Sequence, residues 1–134
     1  RDMKAFRNML LMTARAEDLV ASARQVNGVA VIAGRIDGLD ADGLRSVADT
    51  LRTRLGSGVV CVGSVLDGKV NLIAAVTKDL TARFPAGKLI QEVAKAVGGG
   101  GGGRPDLAQA GGKDPARLDA ALELAYAFVA RATG

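Results

Sequence analysis

The sequence predicts an α/β (α+β) fold with a mixed sheet. Its elements, in chain order, are a long N-terminal helix, then strand, helix, strand, strand, helix, glycine loop and helix. Three observations support this. Two apolar runs, residues 29–36 and 59–66, flank a segment whose apolar residues have helical spacing. The dipeptide Asp67-Gly68, typical of a tight hairpin, follows the second run. A run of six glycines, residues 98–103, separates two further helical stripes.

Residues 1–25 contain neither glycine nor proline, and a mostly apolar set of positions recurs at helical spacing. We predict one long helix here, an N-terminal helical arm of residues 1–26 that Asn27-Gly28 ends. Its face is wide enough to pack on the domain or to pair with another helix, and both possibilities stay open. The positions at helical spacing are Met3, Phe6, Leu10, Thr13, Glu17 and Val20, and the face also includes Met9, Leu11 and Leu19.

The predicted globular domain comprises residues 27–134 and begins with a strand of the buried type at 29–36. Asp40 is the predicted N-cap of the next helix, which Gly56 ends. A second strand at 59–66 completes a strand–helix–strand unit, so these two strands should be parallel. The apolar stripe of the connecting helix consists of Leu44, Val47, Ala48, Leu51 and Leu55.

Asp67-Gly68 predicts a type I′ turn, which requires positive φ at both central residues. The third strand, residues 69–76, should therefore run antiparallel to the second. The turn alone explains why aspartate stands at position 67. The alternative is that the Asp67 carboxylate belongs to a functional site.

Two helices flank the glycine segment in this prediction. The first follows Pro85, and the second restarts at Asp114-Pro115, with Asp114 as its N-cap. Residues 108–111 between them are predicted to form a short edge strand. The inward positions are Leu89, Ile90, Val93, Ala94 and Val97 in the first helix, and Leu118, Leu122, Ala125 and Val129 in the second.

Composition narrows the classes of function. The chain has 134 residues, 49% of them hydrophobic, which is enough for one domain with a sizeable core. A net charge of +4 favours a polyanionic partner without requiring one. Three phenylalanines and one tyrosine supply a base-stacking platform poorly, so a folded RNA recognised by backbone and shape fits better.

Several chemistries have no residues to support them. The sequence has no histidine, and Cys61 is its one cysteine, so a zinc site of the usual Cys/His type cannot be built. The glycine run lacks the Gly-Lys-Ser/Thr ending of a nucleotide-binding P-loop. A single cysteine is compatible with the cytoplasm, and no signal peptide or membrane-spanning run indicates a membrane partner.

The glycine-rich segment, residues 98–112, has two interpretations. Gly-rich tracts are commonly flexible linkers. Only residues 113–134 follow it, however, which is one helix and too little for a second core. We therefore predict a functional loop on one face of a single domain.

Within this segment, residues 101–112 place Arg104-Pro105-Asp106 and Gln109 between two glycine clusters. This pattern resembles the signature of the carboxy-terminal domain of alanyl-tRNA synthetases, and the wider match includes residues 26–29, 37–40, 55–60 and 65–72. Members of that family often carry lysine where this chain has Gly100. The accessory domain of DHH-type phosphoesterases is also similar, but it has a histidine close to the place of Arg104. The signature reads Gly101-Gly102-Gly103-Arg104-Pro105-Asp106-Leu107-Ala108-Gln109-Ala110-Gly111-Gly112.

The resemblance implies a non-catalytic tRNA-binding domain that helps to hold alanine-specific tRNA for aminoacylation and editing. The parent would be an alanine-tRNA ligase of protein biosynthesis, using ATP and Mg²⁺ and carrying zinc at a separate editing site. No cofactor is expected in this segment. Its partners would be the tRNA and the remainder of the synthetase.

The predicted RNA-binding residues combine backbone amides, a guanidinium and an amide side chain. Glycine amides can bind an anion, Arg104 offers a donor fork suited to phosphate, and Gln109 can contact a ribose 2′-OH or a base edge. Asp106 is expected to orient Arg104 or to cap the loop. The predicted set is Lys95, Gly101, Gly102, Gly103, Arg104, Gln109, Gly111, Gly112 and Lys113.

Two alternatives to RNA binding stay open. One is an assembly module in which the N-terminal helix mediates homodimerisation. The other is the substrate-binding accessory domain of a DHH-type phosphoesterase.

Overall fold

The structure is a computed structural model that describes residues 23–133. Within this part the chain forms six strands and three helices, with a short 3₁₀ turn at Lys78–Leu80 and another at Pro115–Arg117. In chain order the elements are β1 (Arg24–Val26), β2 (Val29–Arg35), α1 (Ala41–Leu55), β3 (Val59–Leu66), β4 (Lys69–Val76), α2 (Ala86–Ala96), β5 (Gly100–Gly103), β6 (Leu107–Gly112) and α3 (Leu118–Thr133).

The six strands form one mixed sheet in the order β1-β2-β3-β4-β6-β5. Strands β2 and β3 are parallel, as the strand–helix–strand unit predicts, and every other neighbouring pair is antiparallel. The mixed α/β class predicted from the sequence is confirmed.

Helix α1 begins and ends as its sequence predicts. The Asp40 carboxylate accepts a hydrogen bond from the backbone N–H of Gly43 at 2.8 Å, which satisfies one of the free amides of the first turn. Gly56 ends the helix at a φ of 73°, where its N–H donates to the carbonyl oxygen of Arg52. Leu44 and Leu51 are buried on the inward side together with Val47 and Ala48.

The turn between β3 and β4 is the predicted hairpin. Asp67 and Gly68 have φ values of 54° and 76°, both positive as a type I′ turn requires. Leu66 pairs with Lys69 across the turn, so the two eight-residue strands align along their whole length.

The same turn chemistry corrects the prediction for the residues before β2. Asn27 and Gly28 have φ values of 50° and 85° and join β1 to β2 as a hairpin, with Val26 paired to Val29. Residues 24–26 are therefore strand, and the prediction that the N-terminal helix extends to residue 26 is wrong there. Asn-Gly is a strong hairpin signal. The remainder of the predicted arm, residues 1–22, lies outside the described residues.

The core lies on both faces of the sheet. Helix α1 covers one face, where Ile32, Val60 and Ile73 are buried against it. Helices α2 and α3 cover the other face. Cys61 is fully buried on that side, and burial raises the pKa of its thiol to about 12, so it is a core residue as predicted.

The start of α3 differs from the prediction in its capping. A 3₁₀ turn at Pro115–Arg117 precedes the helix, and the Asp114 carboxylate makes no cap hydrogen bond. It forms instead an ion pair with Arg117, 3.3 Å from carboxylate oxygen to Nε. The predicted inward positions of α3, beginning with Leu118, are buried.

The glycine segment is a hairpin rather than a loop. Strand β5 consists entirely of glycine and pairs antiparallel with β6. The predicted strand at 108–111 exists as part of β6, but it lies between β4 and β5 and is not an edge. The edge of the sheet is β5, which glycine composition alone disfavours as a strand. We call residues 100–112 the glycine hairpin.

Candidate nucleic-acid interface

The tip of the glycine hairpin is a tight turn through Pro105 and Asp106. The backbone N–H of Arg104 donates to the carbonyl oxygen of Leu107 at 3.0 Å, which closes the turn. The Pro105 carbonyl accepts from the N–H of Ala86 at 2.8 Å, at the start of α2. The turn is therefore attached to the helix that lies beneath it.

Two further hydrogen bonds reach the Asp106 carbonyl oxygen. The N–H of Val76, at the end of β4, donates to it at 2.9 Å, and Arg52 Nη1 donates at 3.0 Å from α1. Nη2 of Arg52 also donates to the Asp49 carboxylate at 2.8 Å, which fixes the guanidinium. The tip is thus attached to a strand and two helices.

The Arg104 side chain points away from this fixed turn into solvent. It is 70% exposed, and its Nε lies 3.7 Å from the Asp106 carboxylate. An exposed ion pair at this separation contributes little stability. Asp106 can therefore orient Arg104, as predicted, while leaving the guanidinium available to another anion.

The glycines of the hairpin divide into two groups. Gly101, Gly103 and Gly112 are required by the packing of the domain itself. A Cβ on Gly101 would lie 2.4 Å from the carbonyl oxygen of Gln109, and one on Gly103 would lie 2.8 Å from the Cα of Ala108. On Gly112 it would lie 2.3 Å from Cγ2 of Val97. These three predicted site residues have a structural explanation.

Gly100, Gly102 and Gly111 form the second group, for which packing requires no glycine. A Cβ on Gly100 would meet nothing within 4 Å, and one on Gly102 would meet only Nε2 of Gln91, at 3.7 Å. On Gly111 the nearest atom would be 3.4 Å away. None of the three has positive φ. Glycine costs about 0.5–1 kcal/mol relative to alanine inside a strand, so these positions carry a cost that the fold does not explain.

The second group shares one face of the hairpin with Gln109. Register pairs Gly102 with Gln109 and Gly100 with Gly111, and paired residues project to the same side of a sheet. This side faces α1, because Leu107, two residues before Gln109, packs in the core beneath α1. We call Gly100, Gly102, Gln109 and Gly111 the glycine face. Three of its four positions expose bare backbone, and Gln109 is exposed.

The two predicted lysines lie at the other end of the hairpin. Lys113 follows β6, and its N–H donates to the carbonyl oxygen of Val97 at 2.8 Å. Lys95, in the last turn of α2, accepts at its carbonyl from Gly98. Both side chains are exposed. The six residues of β6 separate them from Arg104 by about 17–20 Å, so the structure does not bring the predicted cations together.

Sequence reasoning missed three residues around this surface: Arg45, Asn71 and Arg52. Arg45 lines a shallow groove with Gly102, Arg104 and Gln109. Asn71 lines the adjoining hollow, which also contains Gln109 and Gly111. Asn71 had a signal in the sequence, because it interrupts the apolar alternation of β4 on the α1 side. The contact of Arg52 with the distant hairpin had none.

The described residues show no other chemistry. No group of three metal-ligating side chains occurs in residues 23–133, and none of the helices there is long and apolar enough to span a bilayer. One mixed sheet between α1 on one face and α2 and α3 on the other defines the class: an α/β domain with the glycine hairpin at one edge. The candidate site is the surface formed by this hairpin and the neighbouring side of α1.

Comparisons with known proteins identify the family. The profile of the DHHA1 domain matches residues 28–131. The alanine–tRNA ligase of Thiobacillus denitrificans is 52% identical over 129 residues, which are 96% of this chain and 15% of that protein. The crystal structure of the C-Ala domain of Aquifex aeolicus alanyl-tRNA synthetase is 34% identical with a TM-score of 0.76, and the match covers 81% of this chain and 97% of that one. The chain belongs to the DHHA1 domain family, and within it to the C-Ala domains of alanyl-tRNA synthetases.

The fold is shared more widely than the sequence. RecJ of Thermus thermophilus matches 93% of this chain and 18% of its own with a TM-score of 0.64, at 16% identity. Identity at this level shows the fold alone. The resemblance to alanyl-tRNA synthetases is confirmed.

Proposed function

We propose that this chain is a non-catalytic tRNA-binding domain of an alanyl-tRNA synthetase, helping to hold alanine-specific tRNA for aminoacylation and editing. The observation that carries the proposal is the exposed guanidinium of Arg104, which projects from a turn held by four hydrogen bonds to its carbonyl oxygens and lies beside the glycine face.

This arrangement suits a phosphate backbone. A guanidinium is permanently charged and presents its N–H donors in a planar fork that matches two phosphate oxygens. Because the turn is already fixed, little conformational entropy is lost from the backbone on binding. The glycine face allows a ribose or phosphate to approach the main chain closely. Binding of this kind is partly electrostatic and weakens as salt rises.

The catalytic chemistry of the parent belongs elsewhere in this proposal. The chain spans 15% of the length of the Thiobacillus denitrificans ligase. We place the ATP and magnesium site and the zinc-bearing editing site in the remainder of the synthetase, which would be the covalent partner of this domain in the cytoplasm. The residues of this chain do not fit a zinc site of the usual kind, since histidine is absent and the one cysteine is buried.

The test is binding of alanine-specific tRNA to the 134-residue chain at two salt concentrations, beside Arg104→Ala. Arg24→Ala is a matched control, because Arg24 is 61% exposed, makes an ion pair of 3.6 Å and lies at the opposite edge of the sheet. We expect Arg104→Ala to weaken binding about tenfold. The slope of the logarithm of the binding constant against the logarithm of salt concentration, here called the salt slope, should fall in magnitude by about one. Equal effects of the two variants, or no binding by the parent chain, would overturn the proposal.

A further inference from the structure

We propose that the tRNA backbone crosses the glycine face in the groove between α1 and the glycine hairpin, where Arg45 contacts a second phosphate. The inference deepens the proposed function and rests on it. It adds a binding residue on a different element from Arg104. It also explains why Gly100, Gly102 and Gly111 are glycine although the fold does not require it.

The floor of this groove is the first observation. Gly102 and Gly111 line the groove without side chains, and Gly100 is paired with Gly111. A Cβ at any of these three positions would meet no atom of the described residues closer than 3.4 Å. Local choices that oppose the fold without a structural reason are expected at functional sites. A strand of bare backbone facing an open groove is accessible to a flat, bulky ligand that side chains would hold away.

The wall of the groove is the second, independent observation. Arg45 projects from α1 beside Gly102 and Gln109 and is exposed. Among residues 23–133 it makes no ion pair and no side-chain hydrogen bond, whereas Arg52, further along the same helix, is held by Asp49 and Asp106. A guanidinium that no carboxylate of residues 23–133 holds, opposite bare backbone, fits an anion that comes from outside.

The chemistry of the groove selects an RNA strand as the occupant. Arg45 and Arg104 both line it, so it carries positive charge on the helix side and at the hairpin tip. Asn71 and Gln109 supply amide donors and acceptors along the floor, which suit ribose hydroxyls. None of the described residues that line it is aromatic, so contacts to the sugar–phosphate backbone fit better than base stacking.

The first test compares Arg45→Ala with Arg54→Ala in binding of the 134-residue chain to alanine-specific tRNA. Arg54 is exposed on the opposite side of the same helix, about 180° around its axis from Arg45. Arg54→Ala therefore removes the same positive charge at a place outside the groove. We expect Arg45→Ala to weaken binding about fivefold to tenfold and to lower the salt slope, with Arg54→Ala close to the parent chain.

The second test fills the floor without disturbing the fold. A Cβ at Gly102 would have no described atom nearer than Nε2 of Gln91 at 3.7 Å, and valine favours a strand, so we expect Gly102→Val to fold, which its melting temperature checks. We expect tRNA affinity to drop at least about tenfold, because the side chain occupies the path of the backbone. Gln25→Val, on the strand at the opposite edge, is the control and should bind as the parent does.

The outcomes separate this inference from the proposed function. If Arg104→Ala weakens binding while Arg45→Ala and Gly102→Val behave as their controls, the groove is wrong and tRNA binding at the tip stands. If no variant changes binding, or the parent chain does not bind tRNA, both proposals are overturned. Loss of binding in Arg45→Ala and in folded Gly102→Val supports the groove.

Discussion

The guanidinium of Arg52 connects helix α1 to the tip of the glycine hairpin through the carbonyl oxygen of Asp106, 3.0 Å from Nη1. The Asp49 carboxylate holds the same guanidinium from one turn earlier on the helix. Arg52 is thus a positioning residue for the turn that carries Arg104.

Replacing Arg52 with alanine should loosen this connection. We expect the free energy of unfolding to fall by about 1–2 kcal/mol, since a charged donor and its two acceptors lose their hydrogen bonds. Affinity for tRNA should fall less than in Arg104→Ala, and Arg52→Lys should be intermediate. Urea unfolding and tRNA titration measure the two effects. Arg45→Ala is the control for stability, because Arg45 is exposed and makes no ion pair or side-chain hydrogen bond within residues 23–133. Equal stability of Arg52→Ala and Arg45→Ala would contradict the role.

The two groups of glycines should respond oppositely to alanine. Gly101→Ala brings a Cβ to 2.4 Å from a backbone oxygen, so the hairpin must shift. The expected cost is about 1–3 kcal/mol. Gly100→Ala meets nothing within 4 Å and should leave stability unchanged or raise it by about 0.4–1 kcal/mol. Thermal unfolding of both variants tests this. Similar melting temperatures would show that the two groups are not distinct.

Acid should reveal the contribution of Asp79. Hydrogen bonds from the Ser57 hydroxyl and then the Thr77 hydroxyl hold the pKa of its carboxyl below the usual value. A carboxyl with a lowered folded-state pKa adds stability above its unfolded pKa, near about 3.9, and this is lost as pH falls through the folded pKa. Asp79→Asn should therefore be less stable than the parent at about pH 7, with the difference shrinking below about pH 4.

Urea unfolding at about pH 7 and about pH 3 measures that difference. Asp67→Asn is a suitable control, because asparagine also tolerates the positive φ of 54° at this exposed turn. A stability difference for Asp79→Asn that stays constant between the two pH values would exclude the carboxyl as its source.

Cys61 should report on unfolding. Its side chain is fully buried and its thiol pKa is raised to about 12, so very little reactive thiolate exists in the folded state. Alkylation by iodoacetamide at about pH 8, followed by mass spectrometry, should be slow in buffer and fast in concentrated urea. Comparable rates in the two conditions would show that the β3 strand opens without global unfolding.

The elements that the sequence predicts correctly are those whose signal is local. Helix α1 has its cap, its apolar stripe and its terminal glycine within residues 40–56, and the β3–β4 turn is specified by two residues. Asn27-Gly28 shows the limit of this reasoning. The dipeptide has the same turn chemistry as Asp67-Gly68, but the helical spacing upstream predicts a helix end at the same place.

The candidate site depends on contacts between residues that are distant in the sequence, and local sequence patterns do not predict such contacts. The segment around Arg104 is identifiable from sequence, and its binding role stays a prediction. The pairing of Gly101 with Ala110, which makes a strand of glycines, depends on a neighbouring strand for its stability. The contact of Arg52 with Asp106 spans 54 residues, and no periodicity marks it.

The order of the strands fixes the distance between the two edges of the sheet. Strands β1 and β5 are the two edges of the sheet, and six strands have five spacings of about 4.8 Å, or about 24 Å in all. The chain enters the described part at β1, so the point of attachment for anything joined before that strand is separated from the glycine hairpin by the whole sheet. The sheet therefore keeps β1 and the surface proposed to bind the RNA at a fixed separation.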